Sequence, residues 1–280
     1  MGLFTRDPAA RLKKVFKDYE LPTFPGVVTA VLAAIRDPDS SAADIARTMA
    51  ADPGLSVKVL RLANSATFSP VRRVDNLSQA IALVGMSQVE LLVLNLGVRA
   101  RMPGRSLPGY RPAEFWRLAA WRAGLAFNFA HLLDPAGECA AFTAAYLQDL
   151  AVPLLLENRT QEYAGVWEEF GAKTAELVEQ ERRYFKWDHA SVACWLAEFW
   201  KLPERIARDI GGHHGGHGAD QPPASAAVRL AALLTTSNLE DHRDLLVAAA
   251  REECGLPEDV TCELLDRTAE HSSELAALLG

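Results

Sequence analysis

The sequence predicts an all-α protein with two helical parts. Apolar residues recur at helical spacing along most of the 280 residues, and no run alternates apolar and polar residues long enough for a strand. Alanine is abundant and β-branched residues are few, which also favours helices. We predict a first part over residues 15–100, a second part over 112–240 and a C-terminal helical extension over 241–280, with the Pro- and Gly-containing stretch 101–111 as the linker.

Capping residues indicate where the helices of the first part begin. A serine followed three residues later by an acid is typical of a helix N-terminus, because the two residues bond each other's free backbone N–H groups. Proline after aspartate also marks a first helical turn, where its missing N–H costs nothing. On these grounds we predict helix starts at Ser41 with Asp44, at Asp52-Pro53, at Asn76, and at Ser87 with Glu90.

The second part continues with the same helical period. We predict helices over residues 113–133, 137–157, 160–170, 174–185, 188–200, 203–210, 224–240, 242–253 and 257–278. At the other end of the chain, residues 1–14 are charged and show no helical period, which indicates a mobile terminus.

Composition and charge exclude several classes of protein. The chain has 49% hydrophobic and 23% charged residues and a formal net charge of −7, so general nucleic-acid binding is excluded. The first twenty residues lack the apolar core of a signal peptide, and the longest apolar runs are too short to cross a bilayer. The four cysteines form no CxxC pair. We therefore expect a cytoplasmic protein with no membrane insertion.

Four polar residues of the second part are the candidates for chemistry. Asp149 lies in a mostly apolar stretch, where a buried carboxylate needs a partner or a metal. His189 follows Asp188 at a predicted helix start, and His213 and His214 lie between glycines after another helix. One hypothesis is that the four side chains converge on a metal ion. The interpretation that we favour is a glycine C-cap with histidines that complement the helix dipole.

A second group of residues forms a candidate interaction patch in the first part. Its members are Lys58, Arg61, Asn64, Ser65, Arg72 and Arg73. Basic side chains beside a loop are typical of contacts with an anion or an acidic partner. The alternative is a solvated helix face on which Asn64 and Ser65 fix the turn, and it has the greater weight because most exposed charges are simply solvated.

A series of short motifs resembles the HDOD domain family, whose members are bacterial signalling modules related to HD phosphohydrolases. The motifs are, in order, Leu21-Pro22-x-Phe24-Pro25, Asp37-Pro38, Asp52-Pro53-x-Leu55-Ser56, Leu60-Arg61-Leu62-Ala63-Asn64-Ser65-Ala66, Ala80-Ile81-x-Leu83-x-Gly85, Phe115-Trp116-Arg117, the segment around Asp149, Asp188-His189-Ala190 and His213-His214. The resemblance covers about residues 15–240. It implies an N-terminal helical bundle packed on an HD-like helical bundle, and a regulatory role in signal transduction.

The resemblance also implies how this chain departs from true HD enzymes. Those enzymes hold metal with a His-Asp doublet, further histidines and a later aspartate, and the metal activates water against a phosphoester. Here the doublet reads Gln148-Asp149, and Leu118 stands where the first histidine is expected. The Gly-Lys after the doublet reads Ala151-Val152, and Asn238 is the polar residue nearest to the later aspartate. Because Gln is a weak ligand and Leu is none, we expect no metal or other cofactor and no phosphohydrolase activity.

Three functions remain open, in order of preference. The first is a stand-alone, non-catalytic signalling module that regulates a protein partner, since no receiver or cyclic-dinucleotide domain fits in the remaining chain. The second is a nucleotide sensor that uses the former HD cavity. The third is a metal-dependent phosphohydrolase in which Asp149, His189, His213 and His214 are an unusual ligand set. In the first two, the residual pocket contains Gln148, Asp149, His189, His213 and His214, and hydrogen bonds among the last four hold it together.

Overall fold

The computed structural model confirms the all-α fold class. It describes residues 7–17, 21, 23–65, 70, 72–171, 173–215, 224–236 and 241–279, and among them the only β-type pairing is an isolated bridge between Leu107 and Tyr110. The helices are α1 (Pro8–Phe16), α2 (Gly26–Arg36), α3 (Ala42–Met49), α4 (Pro53–Ala63), α5 (Leu77–Val84), α6 (Met86–Arg99), α7 (Pro112–Leu133), α8 (Glu138–Leu147), α9 (Ala151–Asn158), α10 (Thr160–Phe170), α11 (Thr174–Phe185), α12 (His189–Phe199), α13 (Glu204–Gly211), α14 (Ala226–Ala232), α15 (Arg243–Cys254) and α16 (Glu258–Leu279).

The chain divides into two compact units. The smaller unit comprises Pro22–Arg101 with Ala277–Gly280, and the larger unit comprises Met1–Leu21 with Met102–Ala276. The boundary at residues 101 and 102 falls at the start of the predicted linker 101–111. In that stretch the chain folds back on itself, because the buried Tyr110 donates from its hydroxyl to the carbonyl of Pro103 over 3.1 Å.

The smaller unit is a bundle of α2 to α6, and three of its four predicted helix starts are confirmed. Ser41 and Asp44 form a reciprocal capping box, and the side chains of Asp52 and Asn76 accept from the backbones of their own first turns. The prediction of a capping box at Ser87 and Glu90 is wrong. Gly85 ends α5 with φ of 91° and directly precedes α6, so Ser87 already lies within the first turn of α6.

In the larger unit, α7 packs against α8 and α14, and α12 packs against α1, α9 and α13. The expectation that residues 1–14 form a mobile terminus is wrong from Asp7 onward. Asp7 caps α1 by accepting from Ala9 N over 3.0 Å, and Leu12, Val15 and Phe16 are buried. Because α1 packs on α12, it belongs to the larger unit, whereas the predicted first part begins at residue 15.

Two predicted helices of the larger unit are shorter in the structure. The helix over 137–157 is broken into α8 and α9, since Pro153 has no N–H for the carbonyl of Asp149, which accepts instead from Val152 N over 2.9 Å. The helix over 224–240 ends as α14 at Ala232. Leu234 N then bonds the carbonyl of Ala231 over 3.1 Å, a tighter turn than an α-helix.

The stretch Pro135–Asn158, which contains α8 and α9, is apolar enough by length and composition to cross a membrane. Of its most apolar window, 78% is buried inside the protein. A largely buried core helix passes the same test of composition, so this stretch is accounted for by the packing of α8 and α9 in the larger unit.

Candidate functional site

Four predicted residues converge in the larger unit. One ligand atom from each of Asp149, His189, His213 and His214 lies within 4.8 Å of the others. Asp149 lies in the turn between α8 and α9, His189 is the first residue of α12, and the other two follow α13. The convergence that the sequence offered as a hypothesis is therefore present in the fold.

Asp149 reaches this position because of the break between α8 and α9. Leu150 N bonds the carbonyl of Leu147 over 3.0 Å, so the chain makes a tight turn at Gln148, Asp149 and Leu150. The carboxylate of Asp149 is largely buried, and its side chain is 14% exposed. An isolated carboxylate in such surroundings would be very unfavourable.

Arg122, which was not among the predicted site residues, provides the partner for Asp149. Its Nη1 donates to Oδ2 of Asp149, and its side chain is only 8% exposed. The remaining donors point elsewhere: Nε and Nη2 both bond the carbonyl of Leu234, over 2.8 and 2.6 Å. Arg122 thus connects α7 to the turn at Asp149 and to the residues that follow α14.

Glu181 is the second missed residue. It is fully buried on α11 and accepts three hydrogen bonds through its carboxylate. One comes from the Tyr163 hydroxyl, and two come from His189, through its backbone N over 2.9 Å and its Nδ1 over 2.8 Å. These bonds fix the imidazole so that Nε2 faces Asp149, a carboxylate–histidine arrangement that also orients histidines in metal sites.

Asp188, directly before His189, caps α12 and takes no part in the convergence of donor atoms. Its Oδ1 accepts from Ser191 N over 2.7 Å, and Arg182 donates to its Oδ2. This cap sets the first turn of α12 and thereby the position of His189.

The two histidines after α13 approach the same centre from a tight turn. The imidazole of His213 shares a hydrogen bond of 2.6 Å between Nδ1 and the carbonyl of Ile210, and its Nε2 lies 3.4 Å from Oδ1 of Asp149. Nε2 of His214 lies 2.8 Å from Nε2 of His189. Gly215 ends the turn with φ of 96°, a conformation that side chains disfavour. The glycine-flanked turn predicted from the sequence is therefore what presents both rings.

We call Arg122, Asp149, Glu181, His189, His213 and His214 the buried cluster. Burial would lower the pKa of His189, but the carboxylates of Glu181 and Asp149 outweigh it and raise that pKa to about 10. Burial would raise the pKa of Asp149, but Arg122 holds it well below the usual range. Burial, together with the charges of His213 and His189, lowers the pKa of His214. Two cations, Arg122 and His189, therefore balance two carboxylates.

The donors of the buried cluster do not fit a tetrahedral zinc ion as they stand. Two nitrogens bound to one tetrahedral zinc at about 2.0–2.1 Å lie roughly 3.3 Å apart. Nε2 of His189 and Nε2 of His214 are 2.8 Å apart, which is the length of a direct hydrogen bond between the two rings. The only carboxylate among the four donors, Asp149, is already paired with Arg122.

Two of the departures from the HD pattern, Leu118 and Gln148, are buried residues. Leu118 lies on α7 with its side chain in the core. Gln148 is also buried, and neither atom of its amide has a hydrogen-bond partner within the described structure, so it makes no bond to the buried cluster. Asn238, the predicted stand-in for the later aspartate, lies outside the described residues.

Two residues of the candidate interaction patch, Asn64 and Ser65, have structural roles in the smaller unit. Asn64 donates from Nδ2 to the carbonyls of Leu60 and Val74, both over 2.7 Å, and accepts from Val74 N over 2.8 Å. Ser65 donates to the carbonyl of Leu62 over 2.8 Å. These two side chains fix the turn after α4, as the alternative interpretation predicts.

The basic residues of that patch remain on the surface. Arg61, Arg72 and Arg73 are exposed, and Lys58 is half-buried. Burial lowers the pKa of Lys58, and the nearby charges of Arg99 and Arg61 lower it further. We call Lys58, Arg61 and Arg99 the basic patch. Arg99, on α6, was not predicted, because only the fold brings it close to α4.

The missed residues of the buried cluster left a weak signal in the sequence. Arginine and glutamate are seldom fully buried without a partner. Arg122 stands within an alanine-rich part of α7, four residues after Leu118, and therefore on the same helix face. The charge within that apolar face was visible, but its acceptor, Leu234, is 112 residues away in the sequence.

Fold and site together define an all-helical protein with a buried cluster of histidines and an aspartate. The sequence profile of the HDOD domain matches residues 21–215. The chain therefore belongs to the HDOD domain family. A protein of Treponema pallidum (strain Nichols) named "Uncharacterized protein" is 26% identical over 207 residues, which cover 70% of this chain and 38% of that protein. The chain thus spans little more than a third of the length of that relative.

Crystal structures of three proteins share the fold over nearly the whole chain. A "putative phosphohydrolase" from Shewanella amazonensis SB2B has a TM-score of 0.71 and 21% identity, and the match covers 100% of both chains. An HDOD domain protein with unknown function from Geobacter sulfurreducens has a TM-score of 0.67 and 20% identity, over 98% of both. A "putative signal transduction protein" from Marinobacter aquaeolei VT8 has a TM-score of 0.67 and 19% identity, over 99% of this chain and 67% of that one.

Proposed function

We propose that this protein is a non-catalytic signalling module that regulates a protein partner by direct contact. The observation that carries the proposal is Leu118, which is buried on α7 where the resemblance to HD enzymes implies the first metal-binding imidazole. A leucine side chain offers no ligand atom, and an HD-type phosphohydrolase depends on its metal to activate water. Membership of the HDOD family supports a role in signalling.

The basic patch is the surface that we propose for the partner. Lys58 and Arg61 lie one turn apart on α4, and Val57 beside them is 46% exposed. The whole chain carries a net charge of −7, so the neighbouring cations Lys58 and Arg61 are a local exception. A complementary partner presents acidic side chains around a small apolar contact.

A hydrolysis assay tests the absence of catalysis. The wild-type protein and Asp149→Ala are incubated with bis-p-nitrophenyl phosphate and with cyclic dinucleotides, each with Mn²⁺ or Fe²⁺. We expect the same background rate from both proteins. The alternative, a metal-dependent phosphohydrolase, is favoured by the convergence of four donor atoms and predicts turnover that Asp149→Ala abolishes. A thermal shift with cyclic dinucleotides, without turnover, would favour the nucleotide sensor instead.

A crosslinking experiment tests the surface. A photo-crosslinking residue in place of Val57 is combined with Lys58→Glu/Arg61→Glu, and separately with Lys13→Glu/Lys14→Glu. The second pair makes the same change of charge on exposed positions of α1 in the larger unit. We expect a specific adduct with an acidic protein in the parent and in the α1 variant, and its loss in the α4 variant. Equal adducts in all three would contradict the proposed surface.

A further inference from the structure

We propose that Arg122 takes the place of a metal ion in the buried cluster. The cluster then joins separate segments of the larger unit through hydrogen bonds and without a metal. This inference rests on the proposed function in one respect: the cluster is not a catalytic site. It goes further, because it assigns to one residue the charge that a metal would bring.

The contacts of Arg122 are those expected of a central cation. Its guanidinium reaches the carboxylate of Asp149 and, with two further donors, the carbonyl of Leu234. A metal ion in such a place would draw together oxygen ligands from separate segments, and Arg122 does this with hydrogen bonds. A planar guanidinium also holds fixed directions that a hydrated ion does not.

The position of Arg122 on α7 explains how its charge can replace that of a metal ion. Leu118 and Arg122 are four residues apart and share one face of the helix. The helix that offers no imidazole at its first position therefore offers a cation one turn later. A single helix face thus accounts for both the missing ligand and the compensating charge.

Hydrogen bonds within the protein hold the imidazoles in place, although Nε2 of His213 is buried without a hydrogen-bond partner in the described structure. His189 lies between the carboxylate of Glu181 and the ring of His214, with heavy-atom distances of 2.8 Å on both sides. The Nδ1 of His213 is engaged with the carbonyl of Ile210. A metal ion entering here would have to break the contact between His189 and His214 and share Asp149 with a fixed positive charge.

Zinc titration of Arg122 variants tests this inference. Untagged wild-type protein, Arg122→Gln and Arg122→Lys are titrated with Zn²⁺ by calorimetry, and Co²⁺ absorption reports the coordination geometry. Gln removes the charge but keeps a hydrogen-bond donor, whereas Lys keeps the charge. We expect Arg122→Gln to bind Zn²⁺ about tenfold more tightly than the wild type or more, and Arg122→Lys to match the wild type. Arg122→Gln/Asp149→Ala should lose the gain, which places it at the buried cluster.

Two results overturn the inference. One is a wild-type protein that binds one equivalent of Zn²⁺ and loses it in Asp149→Ala, a measurement that does not need any Arg122 variant to fold. The other is a folded Arg122→Gln, or Arg122→Met in its place, whose affinity for Zn²⁺ equals that of the wild type. Zinc binding without phosphoester hydrolysis defeats this inference and leaves the proposed function intact, whereas hydrolysis by the wild type defeats the proposed function itself.

Discussion

The buried cluster and the basic patch differ in the charges that they bring together. Opposite charges meet in the buried cluster, whereas like charges are neighbours in the basic patch. In the buried cluster, Arg122 meets Asp149 and His189 meets Glu181, so opposite charges are in contact away from water. In the basic patch, Lys58 lies near two cations on the surface of the smaller unit. The first arrangement joins parts of one unit, and the second is the surface that we propose for a partner.

This difference indicates which charges are needed for the stability of the fold. A charge that is removed from water must be matched within the protein, and removing one partner of a buried pair is strongly destabilising. A charge at the surface is screened and contributes little to stability. Substitutions in the two regions should therefore separate stability from binding.

Glu181→Ala should have the largest effect on stability. The change leaves the Tyr163 hydroxyl and two donors of His189 without their acceptor inside the protein. We expect the free energy of unfolding, measured by urea titration, to fall by about 3–5 kcal/mol. Glu179→Ala, an exposed acid on the same helix, is the matched control and should change it by less than about 0.5 kcal/mol. Similar values for the two variants would show that Glu181 is not a structural centre.

A double-mutant cycle of Arg122 and Asp149 should give the next largest effect. Arg122→Met and Asp149→Asn each leave a charged or polar group without its partner, and the double variant removes both members of the pair. We expect the sum of the single effects to exceed the effect of the double variant by about 1–3 kcal/mol in urea titrations. Additive effects would mean that the contact contributes nothing of its own to the stability of the larger unit.

The sequence predicted the helical framework well, because the signals for helices are local. The caps at Ser41, Asp52 and Asn76 each lie within four residues of their partners, and all three form. Pro153 was an equally local signal for a break, and the prediction of one helix over 137–157 overlooked it. The prediction at Ser87 failed for another reason, since α6 already begins at Met86, directly after Gly85.

The site was only partly predictable, and the two missed residues depend on long-range contacts. Asp149 stands out as a carboxylate within an apolar stretch, and the three histidines stand out beside Asp188 and between glycines. Arg122 and Glu181 look in the sequence like ordinary helical charges. Their importance arises only when folding brings Arg122 to Leu234, 112 residues away, and sets Glu181 against Tyr163 on another helix.

Asn64→Ala should have an intermediate effect, since Asn64 belongs to the framework of the smaller unit. Its side chain makes three hydrogen bonds, two of them to the backbone of Val74, and so fixes the segment after α4. We expect a loss of about 1–2 kcal/mol in the free energy of unfolding. Asn64→Asp keeps an acceptor for Val74 N and should lose less, which a comparison of the two urea midpoints will show.

Lys58→Met should have the smallest effect on stability. Burial and two neighbouring cations lower the pKa of Lys58, which means that the fold disfavours its charged form at neutral pH. The lysine therefore contributes an unfavourable term below its folded pKa, and this term disappears only as pH rises above the unfolded value of about 10.4. We expect Lys58→Met to leave the free energy of unfolding unchanged or to raise it by less than about 0.5 kcal/mol. Lys14→Met, at an exposed position of α1, is the matched control. A loss above about 1 kcal/mol for Lys58→Met alone would show that the patch has a structural role, so that the contrast between the two regions would no longer hold.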